Sequence, residues 1–197
     1  MGSESLNILI VEDEPLIASG ISCCLEELGH KTVGIASTGK EALEMAPALK
    51  PHLILMDINI PDLDGIIVME RLSKVISVPC IFLTGYSDQD LIRRASRVNS
   101  YGYLIKPVDV NDLNAAINIA IQRSKEMHEK ERSLIQSRQA LEDRKIVERA
   151  KGILMDQYEM QETQAMRFLQ KKSRESNRKL PEVAKEIVEF EARLKKR

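Results

Sequence analysis

The chain lacks the features that place a protein in or across a membrane. None of its apolar runs approaches the roughly 18 residues that a transmembrane helix needs. Residues 1–5 carry no positive charge, so we expect no secretory signal peptide. Leu6 stands where a myristoylation signal would need Ser or Thr. We therefore expect a cytoplasmic protein with no membrane partner.

Cysteines are also few. The chain has three, at positions 23, 24 and 80, an odd number whose spacing fits no metal site. This pattern argues against a disulfide framework. We predict buried, reduced thiols of the kind found in cytosolic proteins.

The charge is divided unevenly along the chain, although the net charge is only −1. Residues 1–122 contain 9 Lys and Arg against 16 Asp and Glu, whereas residues 123–197 contain 20 against 14. An acidic portion is suited to holding a cation, and a basic portion is suited to meeting a polyanion. The length of 197 residues allows one domain of ordinary size and a small one.

Five short apolar segments alternate with helical patterns in the acidic portion. The predicted strands cover residues 7–11, 32–35, 53–56, 80–83 and 101–105. Between them, apolar residues recur every three or four positions, as in the segment containing Leu91, Ile92 and Ala95. Apolar strands that alternate with helices are typical of a parallel sheet covered on both faces.

Polar residues follow four of these strands. Glu12 and Asp13 follow the first, Asp57 the third, Thr84 the fourth and Lys106 the fifth. Because the carboxyl ends of parallel strands share one edge, the three acids should crowd together unless a cation offsets them. Oxygen ligands of this kind suit Mg²⁺, which would let Asp57 accept a phosphoryl group. Each residue alone is commonly structural, but their combination favours a site.

The same positions resemble a known family. Glu12-Asp13, Asp57 with Pro61 and Asp64-Gly65, Thr84 and Lys106-Pro107 are similar to the receiver domain of two-component response regulators. This resemblance implies a flavodoxin-like, doubly wound (βα)5 sheet with strand order 2-1-3-4-5. It also implies that a sensor histidine kinase phosphorylates Asp57, with the receiver domain at residues 1–122.

The resemblance assigns roles around Asp57. Mg²⁺ would be held by Asp13, Asp57 and the backbone carbonyl of Asn59, with Glu12 acting through water. Thr84 and Lys106 would bind the phosphoryl group, and the Lys106–Pro107 bond would be cis. Tyr103 would turn inward when Thr84 moves toward the phosphoryl group. The alternative for Tyr103 is a half-buried tyrosine of the strand. No enzymatic activity is expected beyond phosphoryl acceptance and slow autodephosphorylation.

A long helix is predicted after Asp109, because neither Pro nor Gly occurs from Val110 until Gly152. We place a helical linker at residues 123–140. Apolar residues recur every seven positions along this part of the long helix, at Ala120, Met127, Leu134 and Leu141. The partner positions of the heptad are polar. The pattern therefore leaves open a solvated spacer and a weak coiled-coil dimer seam.

Residues 141–197 show three helical stripes, which begin near Leu141, Glu162 and Leu180-Pro181. They predict a small three-helix all-α domain. A run of six basic residues lies within it: Arg167, Lys171, Lys172, Arg174, Arg178 and Lys179. Such a run can neutralise phosphates, or it can form an exposed face that keeps the domain soluble.

This domain resembles the ANTAR domain of antiterminator response regulators. The resemblance rests on Arg144-x-Ile146, Ala150-Lys151-Gly152-x-Leu154-Met155, Glu162-x-x-Ala165, Leu169 and Leu180-x-x-Val183-Ala184. It implies binding to paired RNA hairpins of a leader transcript, which keeps the terminator from forming. We assign RNA contacts to Arg144, Arg149, Lys151 and the six basic residues of 167–179. Glu159 and Met166 depart from the family's usual small and aromatic residues.

We therefore interpret the chain as a phosphorylation-controlled RNA-binding antiterminator that dimerises when active and has no small-molecule substrate. Two other outputs remain open. The basic helices could bind duplex DNA, although no helix-turn-helix spacing is present. The helices could instead bind another signalling protein.

Overall fold

The computed structural model describes residues 5–85 and 100–194. The chain divides into two compact units, residues 1–128 and residues 129–197. The helix predicted around Leu91, Ile92 and Ala95 lies outside the described residues.

The first unit is built on a five-stranded sheet in the order β2-β1-β3-β4-β5, in which all four described strand pairs are parallel. The predicted flavodoxin-like sheet is therefore confirmed. Its elements are β1 (Asn7–Val11), α1 (Pro15–Glu27), β2 (Lys31–Ala36), α2 (Gly39–Leu49), β3 (Leu53–Asp57), α3 (Gly65–Leu72), β4 (Cys80–Thr84) and β5 (Ser100–Ile105).

Alternate residues of the central strands face two separate apolar layers. One layer packs strand residues against α2 and α3, and includes Leu9, Val11, Ile54, Met56, Phe82, Ala42, Ala46, Val68 and Met69. The other packs against α1 and the first turns of α4 (Val110–Tyr158), and includes Ile8, Ile10, Leu53, Leu55, Ile81, Ala18, Leu25, Leu113 and Ile117. Because both faces of the central strands are covered, β1, β3 and β4 are apolar except for a polar residue at one end.

The second unit has its own small core. It contains the end of α4, together with α5 (Glu162–Ser176) and α6 (Leu180–Leu194). The fully or nearly buried residues are Ala150, Leu154, Ala165, Leu169, Val183 and Ala184. The three predicted helical stripes are confirmed, and the predicted linker is part of the same helix as the first stripe. All ten residues 131–140 are exposed.

The prediction for the cysteines was wrong in one respect. Cys80 is buried, and this burial raises the pKa of its thiol, but Cys24 is only partly buried and Cys23 is exposed. The core-facing positions of α1 are Ala18, Ile21 and Leu25, so Cys23 lies on its outer side. Among the described helices, none has the length and apolar character needed to cross a membrane.

The helices begin at recognisable caps. Pro15 opens α1, as the sequence predicted, and Thr38 caps α2 by accepting a hydrogen bond from the Glu41 backbone N–H at 3.2 Å. Asp109 accepts hydrogen bonds from the backbone N–H groups of Asn111 and Asp112 at the start of α4. Local side-chain hydrogen bonds therefore mark the starts of α2 and α4, and a proline marks the start of α1.

Glu159 ends α4 in a strained conformation. Its φ of +52° lies in the left-handed region, which glycine adopts freely and which costs other residues energy. A glycine at this position would adopt the same φ without this cost. In this chain the connection between α4 and α5 retains the strain.

Replacing Glu159 with Gly is expected to stabilise the protein by roughly 0.5–1 kcal/mol, because glycine relieves the left-handed strain. Thermal unfolding followed by far-ultraviolet circular dichroism measures the change. Glu142→Gly, at an exposed position inside α4, is the matched control and should destabilise by about 1 kcal/mol. Equal effects of the two variants would contradict the assignment of strain to Glu159.

Candidate functional site

Three carboxylates meet at the carboxyl edge of the sheet. Val11 pairs with Met56 in the register of β1 and β3, so the residues that follow, Glu12 and Asp57, leave the sheet side by side. Oxygen atoms of Glu12, Asp13 and Asp57 all lie within 4.8 Å of one another. Glu12 and Asp57 are buried, whereas Asp13 is partly exposed. The predicted acidic pocket is therefore present.

Among the described residues, Lys106 is the one basic residue that forms an ion pair with this pocket. Its Nζ lies 2.6 Å from Asp57 Oδ2 and 2.6 Å from Glu12 Oε2. The backbone N–H of Lys106 donates to the Thr84 carbonyl at 2.8 Å, which joins the ends of β5 and β4. The Lys106–Pro107 peptide bond is cis. Five predicted site residues are thus drawn to one edge of the sheet: Glu12, Asp13, Asp57, Thr84 and Lys106.

The pocket holds more negative than positive charge. Burial raises the pKa of Glu12, and the charge of Asp57 adds to this effect, while Lys106 opposes it. Burial disfavours the Lys106 ammonium, but its hydrogen bond to Asp57 and its contact with Glu12 outweigh burial and raise its pKa. One ammonium therefore faces three carboxylates.

The residues present fit a divalent cation. Glu12 Oε2 is buried and accepts no well-aligned hydrogen bond from the described residues, although Lys106 Nζ lies close to it. Three carboxylates, one of them with an oxygen left without a hydrogen bond, form an oxygen-rich set of the kind that Mg²⁺ prefers. The pocket therefore has the donors that a Mg²⁺ site requires.

The loop after Asp57 is held tightly against this residue. The backbone N–H of Asn59 donates to Asp57 Oδ1 at 3.0 Å, and that of Gly65 donates to the Ile58 carbonyl at 2.9 Å. A Cβ added at Gly65 would overlap the backbone carbonyl oxygen of Asp57. Only glycine therefore fits at this position behind Asp57. Where the carbonyl of Asn59 points remains a prediction from the family.

Asp62 is a residue that the sequence reasoning missed. Its carboxylate accepts hydrogen bonds from the backbone N–H groups of Gly39 at 2.6 Å and Lys40 at 2.9 Å, at the start of α2. These bonds, that from Gly39 first, lower the pKa of Asp62. They tie the loop after Asp57 to a helix 22 residues earlier in the chain, and no local pattern reveals such a pairing.

The two predicted switch residues lie on neighbouring strands. Thr84 is buried at the end of β4. Tyr103 lies on β5 opposite Phe82 of β4 and has 45% of its surface exposed, on the same side of the strand as Ile105. The structure therefore contains an exposed Tyr103, and its inward movement stays a prediction.

The nine basic residues assigned to RNA fall into different surroundings. Six are exposed and have no acidic partner within 4 Å among the described residues: Arg144, Arg149, Arg167, Lys172, Arg174 and Lys179. Lys171 lies 3.8 Å from Glu175, and Arg178 Nη1 lies 2.7 Å from Glu186. Lys151 is buried between Glu162 and Glu148, and its hydrogen bonds to these acids, that to Glu162 first, raise its pKa.

A parallel sheet in this order, with an acidic pocket and a lysine at its carboxyl edge, defines a receiver domain. The family described as the response regulator receiver domain matches residues 8–118, and the ANTAR domain matches residues 136–188. The chain therefore belongs to the two-component response regulators that carry an ANTAR output domain.

Similar proteins match either most of the chain or a smaller part of it. The transcriptional regulatory protein PdtaR of Mycobacterium tuberculosis is 36% identical over 92% of this chain and 89% of its own length. The signal receiver domain of a modulated diguanylate cyclase from Desulfovibrio desulfuricans G20 has a TM-score of 0.58 and 39% identity, covering 62% of this chain and 98% of that one. The anti-anti-sigma factor PhyR from Bartonella quintana has a TM-score of 0.58 and 33% sequence identity, covering 65% of this chain and 52% of that one.

Glu12→Gln is expected to stabilise the protein at pH 7 when a chelator removes divalent cations. The pKa of Glu12 is raised above its ordinary 4.5, so its ionisation costs stability. Wild type should match the variant below pH 4.5 and become less stable than it as the pH rises through the folded pKa. Urea midpoints at pH 4 to 7 measure the difference.

Glu41→Gln is the control, because the expected change in stability at pH 7 has the opposite sign. A hydrogen bond from the Ser37 backbone N–H lowers the pKa of Glu41, so its carboxylate stabilises the fold above the ordinary 4.5. This variant should be less stable than wild type at pH 7, with the loss vanishing as the pH falls. A Glu12→Gln variant that is also less stable at pH 7 would contradict the electrostatic account of the pocket.

Proposed function

We propose that Asp57 accepts a phosphoryl group from a sensor histidine kinase and thereby controls RNA hairpin binding by the ANTAR domain, which prevents transcription termination. The observation that carries the proposal is the cluster of Glu12, Asp13 and Asp57, in which the buried Glu12 and Asp57 both contact Lys106. The transcriptional role in the name of the mycobacterial relative supports a regulatory output.

Mg²⁺ is the cofactor of this proposal. Asp13, Asp57 and the Asn59 carbonyl would hold it directly, and Glu12 would do so through water. When bound, Mg²⁺ neutralises the carboxylates and stabilises the charge of the phosphoryl group in transfer.

In the transfer, a carboxylate oxygen of Asp57 forms a bond to phosphorus as the nitrogen–phosphorus bond of the donor histidine breaks. The histidine nitrogen keeps the electron pair. Lys106 Nζ, 2.6 Å from Asp57 Oδ2, is placed to pair with an oxygen of the incoming group. Thr84, at the end of the neighbouring strand, would donate its hydroxyl hydrogen to another.

The added phosphoryl charge would then change the surface of the receiver. Lys106 contacts two carboxylates before transfer, and a phosphoryl group competes for its ammonium. Movement of Thr84 toward the group would open space for Tyr103, whose exposed ring would turn inward. This local change is the signal passed to the output domain.

The output domain would meet RNA through its exposed basic residues. Arg167, Lys171 and Arg174 recur at intervals of four and three along α5, so they lie on one side of the helix, away from buried Ala165 and Leu169. Such a basic stripe attracts phosphates, and hairpin loops offer both backbone and unpaired bases.

The active form would be a homodimer that pairs through the linker. The side chains of Met127, Leu134, Ile135 and Leu141 are all more than half exposed on α4. A second copy could cover these apolar side chains in a short coiled coil. Two ANTAR domains held together would engage two hairpins with increased avidity.

Asp57→Asn should abolish phosphorylation, because an amide oxygen is a far weaker nucleophile than a carboxylate. Incubation with acetyl phosphate and Mg²⁺, followed by electrophoresis in a phosphate-retarding gel, measures the phosphorylated fraction. Asp112→Asn, at an exposed position in the first turn of α4, is the matched control and should be labelled like wild type. Labelling of Asp57→Asn at the wild-type level would remove Asp57 from the proposal.

Filter binding with a two-hairpin leader RNA tests the output. Beryllofluoride, a phosphoryl mimic, should raise the RNA affinity of wild type but not of Asp57→Asn. Duplex DNA at the same salt concentration should compete poorly. Stronger binding to DNA, or binding that is insensitive to salt, would favour the DNA and protein-partner alternatives respectively.

Leu134→Asp should keep the beryllofluoride-treated protein monomeric, because a carboxylate would have to be buried in the proposed seam. Light scattering after size exclusion gives the mass. Gln136→Asp adds the same charge at a neighbouring exposed position of the linker and should still dimerise. If both variants dimerise equally, the seam lies elsewhere.

A further inference from the structure

Lys151 differs from the other basic residues of the ANTAR domain. It is only 8% exposed, whereas the other eight residues assigned to RNA are all exposed. It follows buried Ala150 in the Ala-Lys-Gly motif and precedes buried Ile153 and Leu154. A lysine in this position packs its methylene stem against the core and must find partners for its ammonium.

Those partners are two carboxylates. Lys151 Nζ lies 2.7 Å from Glu162 Oε1, to which it donates a hydrogen bond, and 2.9 Å from Glu148 Oε2. Two of the three N–H donors of the ammonium are thereby directed at acids. An RNA phosphate at Lys151 would be a third anion around one cation, and the two carboxylates would repel it.

The contact with Glu162 joins two helices. Lys151 lies in the last turns of α4, and Glu162 is the first residue of α5, after the short connection at residues 159–161. A carboxylate in the first turn of a helix is favoured by the helix dipole. The ion pair therefore links the two helices across the turn at residues 159–161, which we call the corner and which begins with the strained Glu159. A capping box of Gln161 and Gln164 fixes the start of α5 beside this ion pair.

The direction of α5 determines where its basic stripe points. Arg167, Lys171 and Arg174 lie on the side of α5 away from Ala165 and Leu169, which pack on Ala150 and Leu154 of α4. A change in the angle of the corner would rotate the stripe relative to α4. Arg144 and Arg149 are on α4. The position of the α5 stripe relative to these two arginines therefore depends on the angle between α4 and α5 at the corner.

We propose that Lys151 is a positioning residue, which fixes α5 against α4 through Glu162 and Glu148 so that the stripe meets RNA, and that it does not contact RNA phosphate. This inference rests on the proposed RNA-binding function and revises the assignment of Lys151 as an RNA contact.

The experiment uses the 197-residue chain and a two-hairpin RNA, which the wild-type chain selects from a pool with randomised loops. Affinities are measured over a range of salt concentrations for Lys151→Met, Glu162→Gln, the charge swap K151E/E162K and Arg167→Met. Circular dichroism confirms that each variant is folded. Arg167→Met is the control for a direct phosphate contact and should lower the salt slope by about one unit.

Lys151→Met should weaken binding at least about threefold, near the upper range for one partly exposed ion pair, with an unchanged salt slope. Glu162→Gln should weaken binding as well, although it removes a negative charge that would repel RNA. The charge swap should restore affinity, since it rebuilds the corner while placing a carboxylate at position 151.

Three results would overturn the inference: a salt slope lowered by Lys151→Met as by Arg167→Met, a charge swap as weak as Lys151→Met, or tighter binding by Glu162→Gln. Failure of the wild-type chain to select any RNA would instead overturn the proposed function. In that case the corner is still tested by thermal unfolding, in which the charge swap should recover the stability lost in Lys151→Met. If the charge swap recovers no stability, the claim that the pairing of residues 151 and 162 fixes α5 against α4 is wrong.

Discussion

One ammonium group shared between two buried carboxylates organises the receiver half of the molecule. Lys106 comes from the end of β5, Glu12 follows β1, and Asp57 ends β3, so their contacts connect three strands at one edge of the sheet. Burial makes each of these charges costly unless it is paired. Because Asp13 adds a third carboxylate, the pairing is incomplete, and the edge is prepared to accept further positive charge.

The ANTAR half uses the same chemistry for a different purpose. Lys151 also lies between two carboxylates, but Glu148 and Glu162 are largely exposed, so solvent shares in balancing their charge. Because water and dissolved salt screen an exposed ion pair, this pair adds only a modest stabilisation, and its effect is to hold two helices in one geometry. The receiver cluster, in contrast, is enclosed and responds to each added or removed charge.

Much of the fold was accessible from the sequence because it depends on local periodicity. Apolar strands with polar ends predicted the sheet and the acidic pocket, and caps such as Asp109 predicted helix starts. Two other features could not be predicted: the hydrogen bonds from Gly39 and Lys40 to Asp62, and the contact of buried Lys151 with Glu162. These contacts join residues 11 to 23 positions apart, and local periodicity does not reveal them. Cys23 was misassigned because adjacent helical positions face different directions, and composition does not say which of them faces the core.

The close approach of Gly65 to the Asp57 carbonyl has a genetic consequence. This position carries no functional group, yet any of the other nineteen amino acids would push the loop after Asp57 away from β3. A screen for signalling-defective alleles should therefore recover substitutions at a residue without chemistry of its own. Loss of function can thus arise at Gly65, where no group larger than a hydrogen atom fits.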